Sequence, residues 1–315
     1  MIVRIEKLLE FETAGDPMSD LKWTRKTKGK IAKELYSLGI SVSANTVGRL
    51  LKDMKFSLHV NRKQISAASS GDRNQQFVHI ASLRDQFARE GNPSVSVDTK
   101  KKELVGQFKN PGTVLSRTPI PANDHDFRSM AKGIGIPYGL YDTGANRGSV
   151  FVGTAHDTPT FAVEAIREWW SIEGQKRYPG ADHLLILADG GGSNGARCRA
   201  WKERIQVELC DRYGISVTAA HYPPGASKWN PIEHRLFSEI SKNWAGRPLD
   251  SYETILNYIS TTRTQGGLEV KAYLVAKEYE TGVEVSDERM RQLCIIKDEI
   301  LPKWNYTLVP SKNEN

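Results

Sequence analysis

Residues 183–195 read HLLILADGGGSNG: an unbroken apolar run, Leu184–Ala188, closed by Asp189 and three consecutive glycines. A short run with no polar alternation is the pattern of a strand buried on both faces, as in a parallel sheet. Parallel strands need crossover connections, and helical patterns flank the run on both sides. Upstream, TFAVEAIREWW (160–170) brings Phe161, Ala165, Ile166, Trp169 and Trp170 to one side of a helix; downstream, Trp201, Ile205 and Leu209 do the same. ISVTAAH (215–221) reads as a further strand, and Ile232, Leu236, Ile240 and Trp244 follow at four-residue steps. Towards the N-terminus, SVSVDTKKKELVG (94–106) alternates Val95 and Val97 with serines, as a strand with one polar face would. YGLYD (138–142) and SVFVGTA (149–155), joined by the turn-rich TGANRG, complete an antiparallel meander. The order is βββαβαβα. The expected class is α/β, with a ribonuclease H-like (retroviral integrase-like) domain over residues 93–250 and a C-terminal extension, 251–315, packing on its core.

The chain has 315 residues, 39% hydrophobic and 26% charged, enough for a substantial core. No apolar run reaches the twenty or so residues that span a bilayer. MIVRIEKLLEFE at the start carries too many charges for a secretory signal, so a cytoplasmic, nucleoid-associated protein with no membrane partner is expected. Cys198, Cys210 and Cys294 lie far apart without a C-x-x-C pair. They support neither a disulfide framework nor a zinc cluster and read as free thiols, two of them on one helix.

Charge is unevenly placed. Residues 20–65 hold eleven Lys or Arg against three Asp or Glu, whereas the whole chain carries +7, so the remainder is close to neutral. A basic module on a balanced body points to a polyanion, nucleic acid first among them. Within it, TKGKIAKELYSL (27–38) places Ile31, Leu35 and Leu38 on one helix face and Gly39 stops it. Ser43 then caps ANTVGRLLKDM (44–54), in which Val47, Leu50 and Leu51 turn inward and Asn45, Thr46, Arg49 and Lys52 remain outside. Two short helices around a tight turn describe a helix-turn-helix, although plain structural hairpins share the pattern. Residues 1–65 are thus expected to be a small all-α DNA-binding module, and 66–92 a polar linker followed by an amphipathic helix.

Three carboxylates stand out. Asp98 sits on the first strand of the βββαβαβα order and Asp189 ends the fourth; in that topology the two strands are central neighbours. An unpaired carboxylate buried at a strand end is costly. Glu233 lies in YPPGASKWNPIEHRLFS (222–238), where Asn230 can be an N-cap, Pro231 the first helical residue and Glu233 the reciprocal partner of a capping box. The cap explains Glu233 without chemistry; a catalytic role is compatible with it, because a helix N-terminus favours an ionised carboxylate. Three hard oxygen donors at one rim suit two Mg²⁺ or Mn²⁺ ions and need no small-molecule cofactor. The glycines after Asp189 lack the Lys-Ser/Thr of a phosphate-binding P-loop. Lys100, Lys101 and Lys102 beside Asp98, and Lys228 before Glu233, are placed to hold phosphates or to be solvated edges. His156, Asp157 and His221 read as supports of the site or as structural residues.

VSVDTKKKELVGQFKNPG (95–112), DHDF (124–127), PYGLYD, HDTPTFAVEAIREWW, LLILADGGGSNGARCRAWK, PPGASKWNPIEHRLFS and WNYT (304–307) together resemble the ISAzo-type, or Rhodopirellula-type, DDE transposases of insertion sequences, over about residues 20–309. NPIE (230–233) is also similar to the last carboxylate motif of mariner-like transposases. The resemblance assigns the catalytic, metal-holding triad to Asp98, Asp189 and Glu233. It implies metal-dependent cleavage and strand transfer at element ends by a homo-oligomer on DNA. Members of the family begin with another helix-turn-helix, so a shortened N-terminus is expected. The alternatives are a ribonuclease H-like nuclease or resolvase without strand transfer, and a catalytically silent DNA-binding protein descended from a transposase.

Overall fold

The computed structural model of the protein describes residues 2–10, 13–15, 22–24, 26–54, 56, 70–226 and 229–311. The chain divides into two compact units, Met1–Ile65 and Ser66–Asn315.

In the first unit, helix α1 (Ile2–Glu10) precedes a small hairpin of β1 (Thr13–Gly15) and β2 (Lys22–Thr24), so the unit is not all-α as expected. Helices α2 (Lys28–Ser37) and α3 (Ala44–Asp53) follow, N-capped by the Thr27 and Ser43 side chains; the hydroxyl of Ser43 accepts from Thr46 N at 3.1 Å. Gly39, at φ +78°, makes the turn between them that an L side chain resists. Ile5, Ile31, Leu35 and Val47 form the buried centre, with Leu50 and Leu51 partly buried around it. Leu38, expected in this core, is instead 49% exposed: it is the C-cap of α2, where the helical register that aligned it with Ile31 and Leu35 ends.

The second unit is a mixed α/β structure on a nine-stranded sheet. Its first described element is α4 (Ser70–Glu90), so helix includes the polar residues 70–76 that were expected to be linker; residues 57–69 lie outside the described residues. Strand β3 (Ser94–Thr99) and the short β4 (Glu103–Val105) both pair antiparallel with β5 (Gly133–Asp142), and β6 (Arg147–Gly153) pairs with β5 in turn. Helix α5 (Pro159–Trp169) continues through a π-helical turn, Trp170–Gly174, into α6 (Gln175–Arg177) and leads to β7 (His183–Ala188). Helix α7 (Arg199–Ile205), extended by a π-helical Gln206–Asp211, leads to β8 (Ser216–His221). A π-helical turn, Glu233–Phe237, then runs into α8 (Ser238–Asn243). Strand β3 lies between β5 and a parallel β7, and β8 is parallel to β7. Apart from the short β4, which the expected order lacks, the βββαβαβα order and the central placement of its first and fourth strands are as expected.

The tail does more than pack on this core. After α9 (Tyr252–Ser260), β9 (Glu269–Val275) pairs parallel with β6 at one edge. At the other edge, beyond α10 (Asp287–Gln292), β10 (Ile295–Lys297) and β11 (Asn305–Leu308) extend the sheet from β8.

Strand alternation divides the core between two faces. Val95, Val97, Leu184, Ile186 and Ala188 pack with Phe161, Ile166, Trp169, Trp201 and Ile205 of α5 and α7 on one face. Leu185 and Leu187 turn to the other and meet Ile80 and Phe87 of α4. Further along that second face, Tyr141, Val150 and Val152 receive Ile232, Leu236, Phe237 and Ile240. Ser96 belongs to this covered face and is fully buried, so β3 has no solvated polar side, contrary to the alternation of its sequence. Among the described residues no helix is long and apolar enough to cross a membrane, and the three cysteines are free.

Candidate active site

Two carboxylates meet because of strand register. The parallel β3–β7 pairing runs Val95–Ile186, Ser96–Leu187, Val97–Ala188, and the next residues are Asp98 and Asp189. Neighbouring strands lie about 4.8 Å apart, and alternation sends both side chains to the second face, one step after Ser96 and Leu187. That is the face covered by the helix bearing Glu233.

The third carboxylate arrives through a close helix-to-sheet approach. Gly139 stands opposite Asp98 on β5. A Cβ there would come 2.5 Å from Phe237 and 3.0 Å from Ile232, and one at Gly148 would come 2.5 Å from Leu236. The two glycines let the Glu233–Phe237 turn settle onto the strands. Asn230, fully buried, holds the mouth of that helix: its Oδ1 accepts from the Ser96 hydroxyl, and Ser96 Oγ also accepts from Ile232 N at 3.3 Å. The expected capping box is thereby replaced. The Asn230 side chain turns to the sheet, and Glu233 hydrogen-bonds Asp98 rather than the backbone N–H of the cap.

Crowding and burial set the charge state. Burial first, then the charge of Asp189, and further Glu233 and Asp157, push the Asp98 carboxyl up to about 8, against an opposing hydrogen bond from Thr99 N at 2.7 Å. Burial likewise raises Asp189, partly offset by Gly191 N donating to its Oδ1 at 3.2 Å. Burial raises Glu233, while His234, Lys100 and the hydrogen bond with Asp98 pull it down. Without a cation, the Asp98 carboxyl therefore favours its protonated form up to about pH 8, and a hydrogen bond joins it to Glu233. Like charges this close cannot all ionise unless something positive joins them. Among the described residues no three His, Cys, Asp or Glu side chains already stand in a metal-coordinating cluster. Hard, mutually repelling oxygens nevertheless match what a divalent cation neutralises.

Surrounding residues brace this arrangement. Asp157, read from sequence only as a support or structural residue, lies within the electrostatic field of Asp98, and its Oδ1 accepts from Thr99 Oγ1 at 3.2 Å. His156, next to it, is exposed. Tyr138, fully buried, donates to Asn194 Oδ1 at 3.0 Å, so the glycine-rich loop after Asp189 is pinned from beneath. Burial and then the charges of Asp98, Asp157 and Asp189 raise its phenol well above the usual range. His221 joins the Asp189 backbone at 3.1 Å. Neither Tyr138 nor Asn194 was singled out from sequence; PYGLYD shows a strand, and nothing in it marks the tyrosine as an anchor.

The lysines expected to hold phosphates separate. Lys100 is mostly buried, paired with Glu103 at 3.0 Å and lying 4.5 Å from the centre of the Trp244 ring, so its charge serves the fold and Glu233 rather than solvent. Lys101 and Lys102 are exposed, and Lys228 lies outside the described residues. In the first unit Asn45, Arg49 and Lys52 are exposed and Thr46 is half-buried, all on α3.

Among solved structures the chain is similar to the Mos1 transposase paired-end complex with the left transposon end: 15% identity, TM-score 0.44, covering 82% of this chain and 69% of that one. The Mos1 strand transfer complex gives 16% identity and TM-score 0.44, with 82% and 68% covered. The catalytic domain of Mos1 mariner transposase gives 12% and 0.38, with 62% and 81% covered. No curated protein matches the sequence. The family model of the Rhodopirellula transposase DDE domain matches residues 4–310, nearly the whole chain. The protein belongs to this family of DDE transposases.

Proposed function

We propose that Asp98, Asp189 and Glu233 are the catalytic, metal-holding triad of this transposase, and that it cleaves the ends of an insertion sequence and joins them to target DNA. The observation that carries the assignment is the convergence of two register-matched strand-end aspartates with a glutamate hydrogen-bonded to one of them. Asp98 and Asp189 would hold two Mg²⁺ or Mn²⁺ ions between them, with Glu233 completing the second. When bound, the ions supply charge neutralisation and Lewis acidity for phosphoryl transfer. The chain's own part is to aim the three carboxylates, to give up the proton kept at Asp98, and to bring DNA to the rim. In the first step a water oxygen forms a bond to phosphorus as the 3′-oxygen of the element leaves as a hydroxyl. In the second, that 3′-hydroxyl attacks a target phosphodiester and a target 3′-oxygen departs. Both are in-line displacements without a covalent protein intermediate.

The two capped helices of the basic unit support its assignment as a helix-turn-helix, with Asn45, Thr46, Arg49 and Lys52 of α3 offered to DNA. Lys101 and Lys102 extend the phosphate-binding surface beside the triad. Handling two element ends together calls for two such sites, hence a homo-oligomer on DNA. The test is an assay with labelled element-end DNA, a target plasmid and Mg²⁺ or Mn²⁺. Nicked ends and joined product are expected from the wild-type chain and neither from Asp189→Ala. Cut ends without joined product identify a nuclease, and DNA binding without any cutting identifies a silent binding protein.

A further inference from the structure

A chain of buried side chains runs from the C-terminal strand to the backbone of Asp189. Trp201 Nε1 donates to the Tyr306 hydroxyl at 3.1 Å, the Tyr306 hydroxyl lies 3.2 Å from His221 Nε2, and His221 Nδ1 lies 3.1 Å from the Asp189 carbonyl oxygen. His221 and Trp201 are fully buried and Tyr306 is 2% exposed. A carbonyl only accepts, so Nδ1 carries the proton; Nε2 of the neutral ring then accepts from Tyr306, whose oxygen accepts from the indole. Every polar atom in the relay is satisfied in one direction only. The Tyr306 and His221 rings also stack, with centroids 5.7 Å apart.

The WNYT segment fastens the same strand end from its other side. His221 N donates to the Trp304 carbonyl at 3.0 Å, and Gln76 Nε2 donates to the His221 carbonyl at 3.0 Å and to Asn305 Oδ1 at 2.6 Å. The peptide that His221 grips joins Asp189 to Gly190, the first of three glycines, residues that restrict their own backbone least. With that peptide plane fixed, Gly191 N is placed to donate to Asp189 Oδ1.

We propose that Tyr306 and Trp201 are positioning residues that act through His221: they hold its Nδ1–H tautomer, which fixes the peptide after Asp189 and so aims the Asp189 carboxylate at Asp98. The proposal rests on the assignment of Asp189 to the metal-holding triad. It gives the C-terminal extension a part in the chemistry.

The test uses the full chain. Tyr306→Phe keeps the ring and removes the hydrogen bond to Nε2. In protein labelled with ¹⁵N-histidine, the His221 ring signals should move from the Nδ1–H pattern to a mixture of tautomers. The Mg²⁺ concentration giving half-maximal DNA cleavage should rise about 10–100-fold, the usual effect of losing a partner that orients a metal ligand, while the rate at saturating Mg²⁺ stays within a few-fold of wild type. His221→Asn, whose amide nitrogen takes the place of Nδ1, should keep most of the wild-type Mg²⁺ dependence, and His221→Gln, which mimics Nε2, should not. If Tyr306→Phe does not fold, Trp201→Phe removes the indole donor to the Tyr306 hydroxyl, along with part of a buried ring, and should move the His221 signals and the Mg²⁺ dependence in the same direction by a smaller amount. An unchanged tautomer and Mg²⁺ dependence in the folded variant, or equal behaviour of the Asn and Gln variants, overturns the relay. A wild-type chain that neither binds Mg²⁺ by calorimetry nor cleaves DNA overturns the triad instead, with the tautomer signals still reporting the relay.

Discussion

At the scale of single residues, the carboxyl of Asp98 links charge to stability. Its folded value of about 8 lies above the 3.8 of the unfolded chain, so the folded state holds the proton more tightly. That contribution is fully present below about pH 4 and is lost as pH rises through about 8. The metal-free protein should therefore melt at progressively lower temperature from pH 5 to pH 8.5, and Mg²⁺ should restore more of the melting temperature at the upper end, where no proton has to be displaced. Asp98→Asn cannot ionise. It should flatten the profile, raise the metal-free stability at pH 8 by about 1–3 kcal/mol, and abolish cleavage; calorimetric scans across this range together with the cleavage assay check all three. A variant as pH-sensitive as wild type would mean that another group carries the titration. The placement of Asp98, Asp189 and Glu233, the proposed triad, was legible in the sequence because carboxylates at the ends of apolar strands and at a helix mouth are conspicuous. Ser96 and Tyr138 were not: a serine alternating with valines reads as a solvated face, and only the helix laid over it turns it into a buried support for Asn230.

Among elements, the helix that brings Glu233 depends on two positions without side chains. Gly139→Ala adds a Cβ 2.5 Å from Phe237, against two packed rows that cannot retreat independently. Overpacking of this kind costs about 1–3 kcal/mol. The same shift should lift Glu233 away from Asp98, so cleavage should fall by more than the stability loss explains, as a cleavage assay run well below the melting temperature will read. Gly148→Ala meets Leu236 but not Ile232, the residue before Glu233, and should destabilise similarly with a smaller loss of activity. In the basic unit, Ser43→Ala removes the acceptor for Thr46 N and should cost about 1 kcal/mol of α3 stability. Arg49→Ala should leave the fold intact while weakening DNA binding and lowering the slope of log affinity against log salt by about one, measured by a binding titration in increasing salt. The HLLILAD strand and the helices around it were readable because their apolar residues repeat at the strand or helix period. The start of α4 was not, since SGDRNQQ is polar throughout and is helical because Gln76 is drawn into a buried network with Asn305 and the His221 carbonyl.

Across the whole molecule, the sheet is closed off by the segment furthest along the chain. Strand β9 covers the edge of β6 and β11 that of β8, at opposite sides of a sheet whose centre holds the carboxylates. Sequence alone showed only an extension: NYTL is four residues long, and EVKAYLV, though apolar enough for a strand, is an edge strand whose place is set by the partner it pairs with. Removing them would expose the backbone donors and acceptors of β6 and β8, a template for pairing between molecules. It would also remove Tyr306 and Leu308 from the core and leave the Gln76 amide without Asn305. A chain ending at Ser260 is therefore expected not to be a smaller active enzyme but to aggregate, with DNA cleavage lost even though Asp98, Asp189 and Glu233 remain. Size-exclusion chromatography with light scattering, alongside the full chain, measures this directly. A monodisperse, cleaving 1–260 fragment would show that β3, β5, β6, β7 and β8 stand without their edges and that the tail serves some purpose apart from the sheet.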